Sequence, residues 1–195
     1  LYTAAQSREL DRLAMQVHGI AGYQLMRRAG TSVFTQIRKR WPEARHIGVV
    51  AGPGNNGGDG FVIAELAKAA GLDVQVYLVG DAARIKGDAK LAWQDLLNQG
   101  VRVNNYQGQH LQQADLIVDA LFGTGLDRTV SGFALQAITA MNTLGAPLVS
   151  VDIPSGLQAD TGHALGACVQ AALSVSFISL KQGLFTGFGK NSSAS

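Results

Sequence analysis

The sequence predicts an α/β fold in which a mostly parallel sheet is covered by helices on both faces. Short apolar segments alternate with longer amphipathic segments along most of the chain, as they do when strands and helices take turns. The strand segments are nearly continuous apolar runs, which is typical of strands buried on both faces. A chain of 195 residues is long enough for one domain with a substantial core.

Two helices are expected before the alternation begins. Thr3 and Gln6 have the T-x-x-Q spacing of a capping box and precede an apolar stripe at helical spacing, which predicts a first helix. A second helix is expected from about Tyr23 to Arg40. Trp41-Pro42 should end it, because a residue that precedes proline disfavours the helical conformation. Together these helices form an N-terminal extension of the domain.

The rest of the chain supplies the sheet and its covering helices. Strands are expected at His46–Ala51, Asp73–Val79, Val101–Val103, Asp115–Ala120, Pro147–Val151 and Ala172–Ile178. Helices are expected between them at Asp59–Ala70, Lys86–Gln99 and Gly132–Leu144. We therefore expect one Rossmann-like, doubly wound domain over residues 1–190, followed by a low-complexity, disordered tail at 191–195.

Composition excludes several classes of function. The net charge is +2 and the chain has no basic block beyond Arg38-Lys39-Arg40, so a nucleic-acid interface is not favoured. Cys168 is the single cysteine, which rules out an internal disulfide and favours a reducing compartment. The longest apolar stretch, Ala164–Leu180, is interrupted by polar residues and does not predict a membrane span. With no recognisable signal peptide, we expect a cytoplasmic protein.

Three turns that contain glycine and short polar side chains follow predicted strands. They are Gly52–Gly60 after the first strand, Asp119–Gly125 after the fourth and Asp152–Gly156 after the fifth. Ligands of open α/β sheets bind beyond the carboxyl ends of the strands. The three turns are therefore expected to meet at one edge of the sheet and to form the functional site there.

The first of these turns contains the pattern G-x-G-x-x-G at Gly52, Gly54 and Gly57. Its place between a strand and a helix is typical of a dinucleotide-binding loop. Asp59 stands at the expected start of the helix, where its charge would repel a pyrophosphate. The alternative interpretation is a structural glycine turn in which Asp59 caps the helix.

Two carboxylates, Asp119 and Asp152, end buried strands with no basic residue beside them. Buried carboxylates are costly unless they are paired or bound to a cation. With Asn56 and Ser155 they form an all-oxygen set, which suits hard cations: a divalent ion if both carboxylates bind, a monovalent ion if one does. The alternative is that each aspartate only caps its turn.

Other residues give weaker signals. The Gly123–Thr129 loop offers backbone amides and the guanidinium of Arg128, which could bind an anion, or it is a plain surface loop. Lys181 could reach the same edge of the sheet, or it is a solvated lysine at a strand end. The four histidines show no metal-ligand spacing.

The turns, taken together, resemble the NAD(P)HX epimerases of the YjeF N-terminal domain family. The resemblance covers nearly the whole chain and rests on several long motifs in the same order. They are LMRRAG (Leu25–Gly30), GPGNNGGDG (Gly52–Gly60), VDALFGTGL (Val118–Leu126), VDIPSG (Val151–Gly156) and SLKQGL (Ser179–Leu184).

This resemblance implies an isomerase that repairs hydrated nicotinamide nucleotides by interconverting the R and S forms of NADHX or NADPHX at C6. It implies a potassium ion bound by Asn56, Asp119 and Ser155. It also implies that the substrate contacts a larger set of loop residues. These are Asn55, Asn56, Gly57, Gly58, Asp59, Gly123, Thr124, Gly125, Leu126, Asp127, Arg128, Thr129 and Asp152.

The expected reaction needs a group that gives and takes a proton near C6. Asp152 is the first candidate for that group and Lys181 the second. The resemblance further implies a homodimer and an ADP-dependent dehydratase, fused or separate, as a partner. Two alternatives remain: a Rossmann dehydrogenase, and a non-catalytic nucleotide-binding or protein-interaction module of the same fold. The presence of the full polar set favours the enzyme.

Overall fold

Six parallel strands form the central sheet of the protein. The structure is a computed structural model that describes residues 1–177 and 179–189. The strands are β1 (His46–Ala51), β2 (Asp73–Leu78), β3 (Arg102–Asn105), β4 (Leu116–Ala120), β5 (Leu148–Val151) and β6 (Leu173–Val175). Their order across the sheet is β3-β2-β1-β4-β5-β6, and every neighbouring pair is parallel. The direction of winding therefore reverses between β1 and β4, where such sheets open a crevice for ligands.

Helices cover both faces of the sheet, as the sequence predicts. They are α1 (Ala4–His18), α2 (Gly22–Arg40), α3 (Asn55–Ala69), α4 (Gly87–Asn98) and α5 (Gly132–Thr143). The apolar sides of α2, α3 and α4 pack on one face, where Phe61 and Leu96 are fully buried. The helix α5 packs on the other face through Ile138 and Met141. The expected doubly wound α/β architecture is thus confirmed.

The helical extension begins with the expected capping box. The hydroxyl of Thr3 accepts a hydrogen bond from the Gln6 amide at 3.2 Å, and the Gln6 side chain accepts one from the Thr3 amide at 2.9 Å. Two of the unpaired amides at the start of α1 are satisfied in this way. The helix ends at Gly19, which takes a left-handed conformation with φ of 62°.

The start of α3 corrects the sequence prediction. The helix begins at Asn55 instead of Asp59, so most of the glycine-rich turn forms its first turns. Gly54 is the N-cap residue, and Asp59 therefore does not cap the helix. The sequence did not predict this start because glycine has a low helix propensity. The missing side chains are what let α3 approach β1, since a Cβ at Gly57 would overlap the carbonyl oxygen of Gly52.

Smaller differences concern the edges of the sheet. The strand β3 runs on to Asn105, two residues past its expected end, because its polar residues pair in register with β2. The strand β6 is shorter than expected, at Leu173–Val175. The last residue of its expected range, Ile178, and the expected tail at 191–195 lie outside the described residues. In the described chain, the helices are all too short or too polar to traverse a bilayer.

Candidate active site

A cleft with a volume of about 1350 Å³ lies beyond the carboxyl ends of the strands. Its walls come from α1 and α2, from the start of α3 and from the turns after β2, β4 and β5. Most of the residues that the sequence assigned to the site line it. They are Asn55, Asn56, Asp59, Gly123, Thr124, Gly125, Leu126, Asp127, Arg128, Asp152 and Lys181.

Five assigned residues do not line the cleft. Gly57 and Gly58 are buried inside the first turns of α3, where a Cβ at Gly58 would approach the Met26 side chain to 2.7 Å. Thr129 lies beyond the end of the lining loop. Asp119 and Ser155 are fully buried and lie behind the cleft wall. Their roles in binding stay predictions.

Asp119 is the centre of a buried hydrogen-bond network. Its Oδ1 accepts from the Ser155 hydroxyl at 2.5 Å and from the Leu121 amide at 3.3 Å. Its Oδ2 accepts from the Ser155 amide and the Ser150 hydroxyl, both at 2.8 Å. Burial raises the pKa of Asp119 above its ordinary value, while the hydrogen bonds from Ser155 and Ser150 act in the opposite direction. Within the described residues, no lysine or arginine forms an ion pair with this carboxyl group.

Ser155 joins the turn after β5 to the turn after β4. Its hydroxyl oxygen accepts a hydrogen bond from the Phe122 amide at 2.8 Å, in addition to its bonds with Asp119. Four donors thus hold the Asp119 carboxyl, and one of its partners in turn holds the neighbouring loop. The two turns are fixed to each other below the cleft.

Asn56 lies on the other side of the same turn. A Cβ placed at Gly123 would sit 3.4 Å from the Oδ1 of Asn56, so the side chain packs directly against the loop that follows Phe122. The side-chain nitrogen of Asn56 is buried and has no hydrogen-bond partner among the described residues. The two orientations of an amide differ only in their hydrogen bonds, and rotating this one would bring its oxygen to the same buried place.

The three expected potassium ligands therefore surround one short turn, Leu121–Gly123. Asp119 and Ser155 are in direct contact, and Asn56 packs against the end of the turn. In the described part of the chain, no three His, Cys, Asp or Glu side chains gather as a metal cluster. The set is one carboxylate with neutral oxygens, which is the donor chemistry of a hard cation of low charge. The buried Asp119 carboxyl, which has no basic partner among the described residues, and the unpartnered Asn56 amide fit such an ion.

Asp152 occupies an unusual backbone conformation at the end of β5. Its φ of 66° is positive, and no other non-glycine residue in the described chain has this feature. Aspartate and asparagine tolerate this left-handed region better than other side chains do. The conformation is held by a hydrogen bond from the Asp152 amide to the Val175 carbonyl on β6, at 2.8 Å. Strained residues of this kind cluster at functional sites.

Lys181 pairs with Asp152 at the floor of the cleft. The Lys181 ammonium donates to Oδ1 of Asp152, to the Phe177 carbonyl at 2.9 Å and to the Ser176 hydroxyl at 3.1 Å. The side chain of Lys181 is 3% exposed and that of Asp152 is 15% exposed. Of the two interpretations of Lys181, the structure supports the one in which it reaches this edge of the sheet, and the solvated lysine at a strand end is wrong.

The two carboxylate oxygens of Asp152 differ in their hydrogen bonds. The hydrogen bonds that Asp152 receives from Lys181, Ser176 and Phe177 all end on Oδ1. Within the described residues, Oδ2 receives no hydrogen bond from the protein. Because Asp152 lines the cleft, its carboxylate is a candidate for exchanging a proton with a bound ligand.

Several basic side chains in the cleft were missed by the sequence reasoning. Arg8 on α1, Arg28 on α2 and Arg84 in the turn after β2 all line it. The place of Arg84 could have been predicted, because β2 ends at the same edge of the sheet as the three glycine turns. The place of Arg8 could not, since nothing in its helix shows that α1 folds over the carboxyl ends of the strands.

Comparison with known proteins gives consistent matches. The family model described as "YjeF-related protein N-terminus" matches residues 22–183. The chain is 42% identical to the bifunctional NAD(P)H-hydrate repair enzyme Nnr of Coxiella burnetii, over 95% of this chain and 38% of that protein. It is 40% identical to the NAD(P)H-hydrate epimerase of Limosilactobacillus fermentum, over 96% of this chain and 90% of that protein.

A solved structure shows the same fold. The crystal structure of yeast ynu0, YNL200c, superposes with a TM-score of 0.82 at 28% sequence identity and covers 94% of this chain and 82% of that one. The chain spans less than two fifths of the length of the bifunctional bacterial relatives and most of the length of the stand-alone epimerase.

Proposed function

The chain belongs to the family of YjeF-related protein N-termini, and from this premise we propose that it is an isomerase that epimerises NADHX and NADPHX at C6. Relatives that carry the name NAD(P)H-hydrate epimerase, or that of the bifunctional repair enzyme, support the proposal. The structural observation that carries it is the Asp152–Lys181 pair, which lies at the floor of a cleft built from the family's motifs.

The reaction requires the hydroxyl on C6 to leave and to return on the opposite face. The lone pair of the adjacent ring nitrogen can expel this hydroxyl as water if a proton is supplied, which leaves a flat carbon. Readdition of water from the other face, with loss of a proton, gives the other epimer. Opening and closing of the ring at the same carbon is the second route. Both routes need a group that moves one proton near C6.

Asp152 is the group that we assign to this proton. Lys181 and the Phe177 amide donate hydrogen bonds to Oδ1, which fixes the orientation of the carboxyl group. Oδ2 receives no hydrogen bond from the described residues, and we assign this oxygen to the ligand. General acid–base catalysis of this kind contributes roughly 10²- to 10⁴-fold to a rate. Lys181 would orient the carboxylate and keep its charge balanced during the transfer.

The rest of the cleft suits a dinucleotide. Its volume of about 1350 Å³ exceeds the 300–1,000 Å³ of ordinary small-molecule sites, as a ligand with two nucleotides requires. The Gly123–Thr124–Gly125 backbone and the Arg128 guanidinium offer donors for the phosphate groups. We expect the nicotinamide end to lie near Asp152.

We further propose that Asn56, Asp119 and Ser155 hold a potassium ion. The ion would supply a positive charge that offsets the buried Asp119 carboxylate and would fix the turns after β4 and β5. Asp119 and Ser155 already connect these turns, and Asn56 packs against the first of them. The three residues would bind the ion and orient these turns. The ion would not change its oxidation state.

The names of the relatives indicate which reaction accompanies the epimerisation. Because repair enzymes of this name are bifunctional, we propose that an ADP-dependent dehydratase, fused or separate, uses the epimer formed here. A homodimer and a cytoplasmic location remain parts of the proposal. The rival interpretation of a non-catalytic module is disfavoured, since a binding module gains nothing from a strained aspartate paired with a buried lysine.

The test uses separated epimers of NADHX. The purified chain should convert either the R or the S form to the same equilibrium mixture, much faster than buffer alone, as followed by chromatography. Failure to accelerate this conversion from either side would contradict the proposal. A change in NADH absorbance with added candidate oxidants would instead support a dehydrogenase.

A further inference from the structure

The first residues of the chain are tied to the segment that carries Lys181. Tyr2 and Lys181 form an isolated parallel bridge. The Tyr2 amide donates to the Leu180 carbonyl at 2.9 Å, and the Gln182 amide donates to the Tyr2 carbonyl at 3.1 Å. Tyr2, just before α1, thus pairs with the segment that carries Lys181, and it lies before the range that the family model matches.

One side-chain contact reinforces this connection. The hydroxyls of Ser7 on α1 and of Ser179 lie 2.6 Å apart, and both residues are buried. Buried hydroxyls are nearly always hydrogen-bonded, because an unpaired one loses its water without compensation. Each serine therefore fixes the position of the other, across 172 positions in the sequence.

Ser179 in turn belongs to the network around the ion pair. Its carbonyl accepts a hydrogen bond from the Ser176 hydroxyl at 3.1 Å. The Ser176 oxygen lies 3.1 Å from the Lys181 ammonium and 3.3 Å from Oδ1 of Asp152. Ser176 has one hydroxyl proton, which it donates to the Ser179 carbonyl or to Asp152, while its oxygen accepts from Lys181. Ser7 is therefore connected to the ion pair through its bond to Ser179, the backbone of Ser179 and the Ser176 hydroxyl.

We propose that Ser7 is a positioning residue for the Asp152–Lys181 pair, an inference that rests on the proposed epimerase function. Lysine has a flexible four-carbon stem, so the surrounding segment must set where its ammonium lies. The bond between Ser7 and Ser179 holds that segment against α1 and thereby fixes the orientation of the Asp152 carboxyl. Ser7 also lines the cleft, but the role assigned to it here is to hold Ser179, not to transfer a proton.

The kinetic test compares Ser7→Ala, Ser179→Ala and the double variant with the wild type. Small misplacements of a catalytic group are costly in rate, so each single variant should lower kcat about five- to tenfold and leave KM within about twofold. The double variant should lose no more than either single one, because all three lack the same bond. The pH profile of kcat should shift in the variants, since the surroundings of the pair change.

Thr3→Ala is the matched control on the same helix. It removes the capping box of α1 and should lower the melting temperature, because capping residues stabilise helix starts, but it leaves the bond between Ser7 and Ser179 in place. Its kcat and pH profile should equal those of the wild type. Equal kinetic losses in Thr3→Ala and Ser7→Ala would mean that α1 matters only for stability, and would overturn the inference.

A measurement without substrate separates this inference from the proposed function. The Lys181 ammonium, buried and held by three acceptors, should give a slowly exchanging side-chain NMR signal that Lys181→Met lacks. The signal should persist in Thr3→Ala and should shift or broaden in Ser7→Ala and Ser179→Ala. An unchanged signal and kcat in both serine variants refute the role of Ser7. An inactive wild type refutes the proposed function alone, and the NMR result then decides the positioning role.

Discussion

At the residue scale, the proposed proton transfer depends on Asp152. Its place after a strand made it a candidate from sequence, because strand ends gather at one edge of a parallel sheet. Its positive φ and its buried lysine partner could not be predicted, since Lys181 lies 29 positions away and joins Asp152 only when β6 pairs beside β5. The sequence therefore identified both Asp152 and Lys181 as candidates, but it did not predict that they form an ion pair.

The conformation of Asp152 predicts different results for two substitutions. Asp152→Asn should fold with little change in backbone strain, because asparagine also tolerates φ near 66°. The free energy of unfolding of Asp152→Ala should be about 1–2 kcal/mol lower than that of Asp152→Asn, because alanine tolerates the left-handed conformation less well. Urea unfolding of both variants measures the difference. Equal stabilities would show that the conformation of Asp152 stores no strain.

Asp119 predicts a dependence of stability on pH. Because burial raises its pKa in the folded state, its contribution to stability is fully present below its unfolded pKa of about 4 and is lost as pH rises through the folded value. In potassium-free buffer, the wild type should therefore exceed Asp119→Asn in stability most at acid pH and less at neutral pH.

The comparison for Asp119 is made by urea unfolding at several pH values. In Asp119→Asn, the side-chain NH2 faces hydrogen-bond donors, which should lower the free energy of unfolding by about 1–3 kcal/mol. This loss should not vary with pH, because asparagine does not titrate. Asp73→Asn, on the opposite edge of the sheet, serves as the control and should follow the wild type. A difference between wild type and Asp119→Asn that grows with rising pH would contradict the assignment.

At the scale of elements, β1 was easier to predict than the start of α3. The range of β1 was predicted to the residue, since a strand buried on both faces is a plain apolar run. The start of α3 was missed by four residues because its first turns are polar and rich in glycine. That segment becomes helical through packing against β1 and β4, which no local pattern reports.

The packing of α3 predicts opposite outcomes for two glycines in the same motif. Gly57→Ala should destabilise the protein by about 1–3 kcal/mol or more, because its Cβ would overlap the Gly52 carbonyl and neither backbone can move freely. Gly54→Ala should lower stability by no more than about 1 kcal/mol, because it loses only the preference for glycine at the N-cap and nothing lies within 4 Å of a Cβ there. Thermal unfolding measures both. Similar melting temperatures for the two variants would refute the close approach of α3 to β1.

At the scale of the whole molecule, the strand order brings three separate turns to one place. The reversal between β1 and β4 puts the start of α3 beside the turn after β4, and β5 adds the third turn. The sequence sufficed to predict this convergence. It did not predict that α1 and α2 would close the cleft with Arg8 and Arg28, because the docking of an N-terminal extension depends on tertiary contacts alone.

The convergence of the turns predicts a specific effect of potassium. Replacing potassium by choline at equal ionic strength should lower the melting temperature and the epimerase activity of the wild type, because a bound ion stabilises only the folded state. Ser155→Ala should show a smaller potassium effect on melting temperature. Equal responses of the two proteins would argue against a potassium ion at Asn56, Asp119 and Ser155.

The rate at which separated (R)-NADHX is epimerised by the wild type and by Asp152→Asn tests most directly that Asp152 moves the proton. We predict that the wild type brings the R form to the equilibrium mixture and that Asp152→Asn is roughly 10²- to 10⁴-fold slower. The variant should fold but melt at a lower temperature, because Lys181 stays buried without its counter-charge, so the rates are compared well below both melting temperatures. A folded Asp152→Asn variant that epimerises (R)-NADHX at the rate of the wild type would contradict the assignment of Asp152.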